Sequence, residues 1–75
     1  HIARHGVHPE EGEEACYNRP TILKGRGRSY LLYGRTNDGR YILMVLRYRG
    51  KGLARVITAR DMKEDERSFC QKQRR

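Results

Sequence analysis

Thirteen arginines, three histidines and a few well-placed carboxylates are the residues of this chain whose chemistry could reach beyond folding. Arginine stays protonated in water and offers five N–H donors in a planar fork, so it stabilises charge on a phosphate well and removes a proton badly. Metal-free RNA cleavage divides its labour along that line. It needs a base near the 2′-hydroxyl, an acid for the leaving oxygen, and cations for the charge that builds on the phosphorane. Arg60, expected at a strand end beside a helix start, and Arg35, next to a glycine on a neighbouring strand, are the candidates for phosphate stabilisation. His5 is the best candidate acid or base, because its ordinary pKa lies near neutrality. Glu66 follows Arg60 by six residues, where it could hold the arginine in place or act as base; positioning is the favoured role. Structural alternatives stand beside each. His5 suits a helix-entry residue bonded to backbone, Arg35 a strand-end surface charge, and Arg60 an ion pair to Glu66 contributing about 0–1 kcal/mol if exposed.

Arg4, Arg26, Arg28 and Arg40 are candidate contacts to an RNA backbone, and Tyr30 and Tyr41 could stack on bases. A tyrosine in a thin sheet is also a natural half-buried core residue. His8 reads as a helix cap and His1 as an exposed chain end. No residue set has metal-ligand spacing, so neither a metal nor another cofactor is expected. Cys16 and Cys70 are too few and too far apart for a disulfide framework, and no C-x-x-C occurs. Two reduced thiols in a cytoplasmic protein is the simplest reading.

The elements that must position these residues follow from local pattern. Pro9 suits a first helical position, and Glu10, Glu11, Glu13 and Glu14 sit where the helix dipole favours negative charge, predicting a short helix over residues 9–17. Beyond Pro20 the period changes to two. Strands are predicted over residues 21–24, 29–36, 40–49 and 53–60, with turns at Gly25–Gly27, Asn37-Asp38-Gly39 and Gly50-Lys51-Gly52. The third strand is apolar on both faces in its middle and should be covered on each side. Simple alternation in the fourth puts Leu53, Arg55, Ile57 and Ala59 on one face and Ala54, Val56, Thr58 and Arg60 on the other. Asp61-Met62-Lys63-Glu64 fits a D-x-x-E capping box, so a closing helix is expected from about Met62, running into a frayed basic tail. The fold expected is α+β: a small antiparallel meander of three to four strands flanked by an N-terminal and a C-terminal helix.

Seventy-five residues leave room for one domain with a thin core. The longest apolar run, residues 41–46, is far short of the roughly 20 needed to span a bilayer, and no signal-peptide stretch is visible. The chain opens on His1, and a preceding segment is expected. The net charge of +8 is uneven. Residues 15–60 hold eleven cations against Asp38 alone, whereas residues 1–14 hold Arg4 against four glutamates. Such a middle segment attracts RNA or DNA, an anionic membrane surface or an acidic protein. The preference for arginine over lysine, thirteen to four, favours bidentate phosphate contacts and base stacking.

Three separated motifs now stand in register: Ile2-Ala3-Arg4-His5-Gly6-Val7 with Glu10-Glu11, then Gly34-Arg35-Thr36-Asn37-Asp38-Gly39-Arg40, then Arg55 to Met62 with Glu66-Arg67. In that order and spacing they resemble the BrnT family of bacterial type II toxins over nearly the whole chain. The resemblance implies a compact RelE-like ribonuclease toxin that cuts RNA and restrains growth. It also implies a cognate, BrnA-like antitoxin with a ribbon-helix-helix domain that covers part of the RNA-facing surface, and a possible homodimer within the toxin–antitoxin complex. The chain departs from the family pattern in lacking an upstream Trp-Asp pair and in carrying His1 for Asn, Arg4 for Lys, Lys63 for a helix-capping Thr and Cys70 for a common Tyr. A non-catalytic RNA- or DNA-binding module and a degenerate toxin are the alternatives.

Overall fold

The computed structural model describes residues 3–4 and 6–73 of the chain. Its elements are β1 (Ala3–Arg4), α1 (Pro9–Tyr17), β2 (Thr21–Lys24), β3 (Ser29–Arg35), β4 (Tyr41–Gly50), β5 (Leu53–Asp61) and α2 (Glu64–Gln73). Strands β2 to β5 form the expected antiparallel meander, and the helices flank it as expected. One strand goes beyond that expectation. The two residues of β1 pair in parallel with β5, Ala3 beside Thr58 and Arg4 beside Ala59, giving the order β1-β5-β4-β3-β2. A segment this short has no readable periodicity; its pairing is decided by the free edge of β5.

The apolar middle of β4 is covered on both faces, and the described residues therefore form two small cores. Ile42 and Met44 join Val7, Ala15, Leu32 and Ala59 beneath α1, while Leu43 joins Met62 and Cys70 beneath α2. Helix α1 comes close because β3 carries a glycine at the crossing. A Cβ at Gly34 would stand 2.7 Å from the Ala15 Cβ and 2.9 Å from its carbonyl oxygen. The helix begins as its sequence dictates, with Pro9 at its first position and the Glu11 carboxylate accepting the His8 backbone N–H at 3.0 Å.

Two sequence expectations are corrected. The closing helix starts at Glu64, two residues late, because Met62, just past the end of β5, is still tied to β4: its N–H donates to the Tyr41 carbonyl at 3.1 Å and its side chain is buried. The reciprocal capping bond consequently runs from the Lys63 N–H to the Glu66 carboxylate at 2.8 Å, and Asp61 is released for another partner. The second correction concerns β5. Its ladder pairs Thr58 with Val45 and Val56 with Leu46, leaving Ile57 as an extra residue in a bulge. An extra residue reverses the alternation beyond it. Val56 and Ala59 therefore pack against the same cluster, and Arg55 returns to the face that carries Arg60.

Candidate active site

Arg60 ends β5 on the α2 side, paired across the ladder with Leu43. The turn into α2 brings Glu66 back over it. The two groups bind fork to fork, Nη1 to Oε1 and Nη2 to Oε2, each at 2.8 Å, and Nη1 also donates to the Asp61 carbonyl at 3.0 Å. Both are partly buried, with side-chain exposures of 32% and 17%. The Arg60 hydrogen bond, joined by the one from the Lys63 amide, holds the Glu66 carboxyl at about 2, and burial opposes that only in part. Glu66 in turn raises the Arg60 pKa. A carboxylate of such low basicity is a poor proton acceptor near neutrality, and what the geometry shows is Glu66 holding the Arg60 guanidinium. Of the five guanidinium hydrogens of Arg60, Nε–H and one on Nη2 remain for an incoming anion.

Arg35 lies on the same side of the sheet, one strand beyond β4 and closer to the hairpin at Asn37-Asp38-Gly39. Its guanidinium carbon stands 5.0 Å from the Tyr41 ring centroid, and that of Arg67 stands 5.1 Å from the same ring. Among the described residues no carboxylate pairs with Arg35, and its Nε is buried with no hydrogen-bond partner. The side chain borders a cleft of about 600 Å³ shared with Tyr17, Arg19 and Asn37. Arg19 holds a φ of 49°, a left-handed conformation uncommon for residues other than glycine. Arg35 and Arg60 thus share a face and are not in contact, with the Leu43, Met62 and Cys70 cluster on that face beneath α2.

The other expected site residues scatter. His5 lies outside the described residues, and for Arg4 the described feature is its backbone, beside Ala59. Arg40, a candidate contact to RNA, is engaged within the fold. It donates to both Asp61 oxygens at 2.7 and 3.1 Å, to Glu11 at 2.8 Å and to the Gly6 carbonyl at 3.0 Å. This joins the start of α1, the 36–40 hairpin and the end of β5. The Asp61 and Glu11 hydrogen bonds raise the Arg40 pKa, while Asp61 is lowered chiefly by its Arg40 bond and Glu11 by the His8 amide and then Arg40. Tyr41 has the Arg35 and Arg67 guanidinium groups at its ring and accepts a hydrogen bond from Gln71 at 3.3 Å. Tyr30 is half-buried and pairs with Leu46, on the α1 side of β3. Arg26 and Arg28 are exposed at the opposite end of the sheet from the 36–40 hairpin. There they meet three arginines that the sequence reading had not singled out, Arg47, Arg49 and Arg55, with Arg28 and these three lining one groove. The bulge at Ile57 is what hid that grouping.

The fold and site together describe a small α+β protein with a paired arginine at a strand–helix junction and a second, carboxylate-free arginine on the same sheet face. Among the described residues, no three or more His, Cys, Asp or Glu side chains cluster in a way that could hold a metal ion. None of their helices is long and apolar enough to cross a membrane. Compared with family models, with curated proteins and with solved structures, the chain matches none.

Proposed function

We propose that this protein is a metal-independent endoribonuclease of the BrnT kind, a RelE-like toxin that cuts RNA in the cytoplasm and is restrained by a ribbon-helix-helix antitoxin. The observation that supports the reading best is the Arg60–Glu66 pair: a permanently charged guanidinium clamped at both Nη atoms, with two N–H groups left over. A fixed donor placed where charge develops requires no reorganisation during the reaction, which is how such groups lower barriers. In the reaction, the 2′-oxygen forms a bond to phosphorus as its proton passes to a base. The bond from phosphorus to the 5′-oxygen then breaks, and that oxygen takes a proton from an acid. Arg60 stabilises the phosphorane and Arg35 supports a neighbouring phosphate. His5 serves as one of the two proton-transfer groups, the acid or the base.

The test is incubation of metal-free protein with total RNA in EDTA, beside Arg60→Ala and His5→Ala proteins. Cleavage by the parent that both substitutions remove is expected. Intact RNA with the parent refutes the enzyme. One observation favours a second reading, a module that binds RNA without cutting it: the described site offers cations and a carboxylate held at about 2, neither of which is a base. Retention of RNA without shortening is its signature.

A further inference from the structure

The end of the sheet away from Arg35 carries a concentration of charge that the fold does not use. Arg47 on β4 and Arg55 on β5 are direct cross-strand partners, both exposed and on the α2 side of the sheet by register. Like charges facing one another across a ladder destabilise it. No acid relieves them: the sequence has no Asp or Glu between residues 39 and 60, and among the described residues the ion pairs use Arg40 and Arg60. Arg28 and Arg49 join them in lining a groove of about 430 Å³, together with Tyr48 and Ile57. Tyr48 lies between Arg47 and Arg49 and by the same register turns its ring to the opposite, α1 side, where its hydroxyl accepts the Gly52 N–H at 3.4 Å. Helix α2 covers the Leu43 end of this face and leaves the groove open.

We propose that this groove is a binding site for the phosphate backbone of single-stranded nucleic acid, with Arg28, Arg47, Arg49 and Arg55 on successive phosphates. A positively charged groove that tracks the backbone holds a strand without reading its sequence. The groove's cations are all arginines, whose flat forks match phosphate oxygens. Arg55 stands about 13 Å along β5 from Arg60, taking four strand rises after allowing for the bulge. A strand held in the groove therefore leads along the open face toward Arg60. Binding does not depend on cleavage; only the use of that direction rests on the nuclease reading.

The probe is a fluorescein-labelled, 2′-O-methyl single strand, which cannot be cut because its 2′-oxygen is blocked, followed by fluorescence anisotropy across a salt series. Four phosphate contacts predict a slope of log K against log salt of about −2.8, falling to about −1.4 in Arg47→Ala/Arg55→Ala, with binding at 0.15 M salt weakened on the order of tenfold. Tyr48→Ala, on the α1 side by register, leaves the slope unchanged. The double variant melts at or above the parent's temperature, since it loses a repulsive pair. Arg55→Glu, which faces Arg47 with an opposite charge, folds and binds at least as weakly as the double variant. An unchanged slope in the double variant overturns the proposal. So does tighter binding to phosphatidylserine vesicles than to the strand. If the parent cuts RNA while the groove substitutions leave binding intact, the groove is wrong and the nuclease stands. If the strand binds as predicted while RNA stays whole, the nuclease is wrong and the groove stands.

Discussion

Replacing Glu66 by glutamine keeps the shape of the side chain, its bond to the Lys63 amide and its neighbours, and removes the charge that Arg60 grips. The magnitude follows from the carboxyl's displacement. A drop from the ordinary 4.5 to about 2 corresponds to roughly 3 kcal/mol at about 1.4 kcal/mol per tenfold. Arg60 is about a third open to water, and solvent screening of that side brings the expected loss to about 1–2 kcal/mol. Against the ~4–11 kcal/mol that a 75-residue domain possesses, this is readily measured. The sign is set by the depressed folded-state value. The stabilisation is complete above 4.5 and disappears as the pH falls toward about 2, where the folded carboxyl takes up its proton. Urea unfolding of the parent and Glu66→Gln, followed by circular dichroism between pH 7 and pH 2, gives the difference directly. Other carboxylates cancel in it. The gap should be open at pH 7 and narrow steadily below pH 4.5. A gap that is absent at pH 7, or that persists unchanged at pH 2.5, would refute the inference that the charged pair fixes the start of α2 on β5.

Three further outcomes follow from the same geometry. Gly34→Ala drives a methyl group into the Ala15 Cβ and carbonyl, and should destabilise the protein by about 1–3 kcal/mol in denaturant unfolding; an unchanged midpoint would show that α1 is not seated on β3. Arg40→Ala opens the clasp among Glu11, Asp61 and Gly6, and a fall in melting temperature of roughly 4–8 °C is expected near neutral pH, shrinking in acid as Asp61 and Glu11 are protonated. A thiol reagent should modify one cysteine in the native protein and two in denaturant, since Cys16 is exposed and Cys70 is buried; the native rate should keep climbing at alkaline pH because desolvation, and secondarily Glu13, push the Cys16 thiol up. Two fast thiols in the native state would place Cys70 outside the α2 core.

Local chemistry along the chain determined most of the fold. Pro9 with its glutamates, the Asn37-Asp38-Gly39 turn and the period-two stretches act over a few residues, so helix α1 and the four-stranded meander were legible without a structure. The apolar middle of β4 likewise announced a strand covered on both faces. The pairing of Arg60 with Glu66 was also within reach, because a strand end and the first turn of the following helix lie six residues apart whatever the rest of the chain does. What the sequence left open depends on distant partners. Arg40 finds Asp61 and Glu11 across 21 and 29 residues, and Tyr41 receives Arg35 and Arg67 from β3 and α2; no local pattern distinguishes such arginines from those that face solvent. The grouping of Arg47 with Arg55 turned on one residue. A bulge at Ile57 reverses every side chain beyond it, and whether a strand accommodates an extra residue is decided by its neighbour's register and the packing of Val56 and Ala59 on a common core.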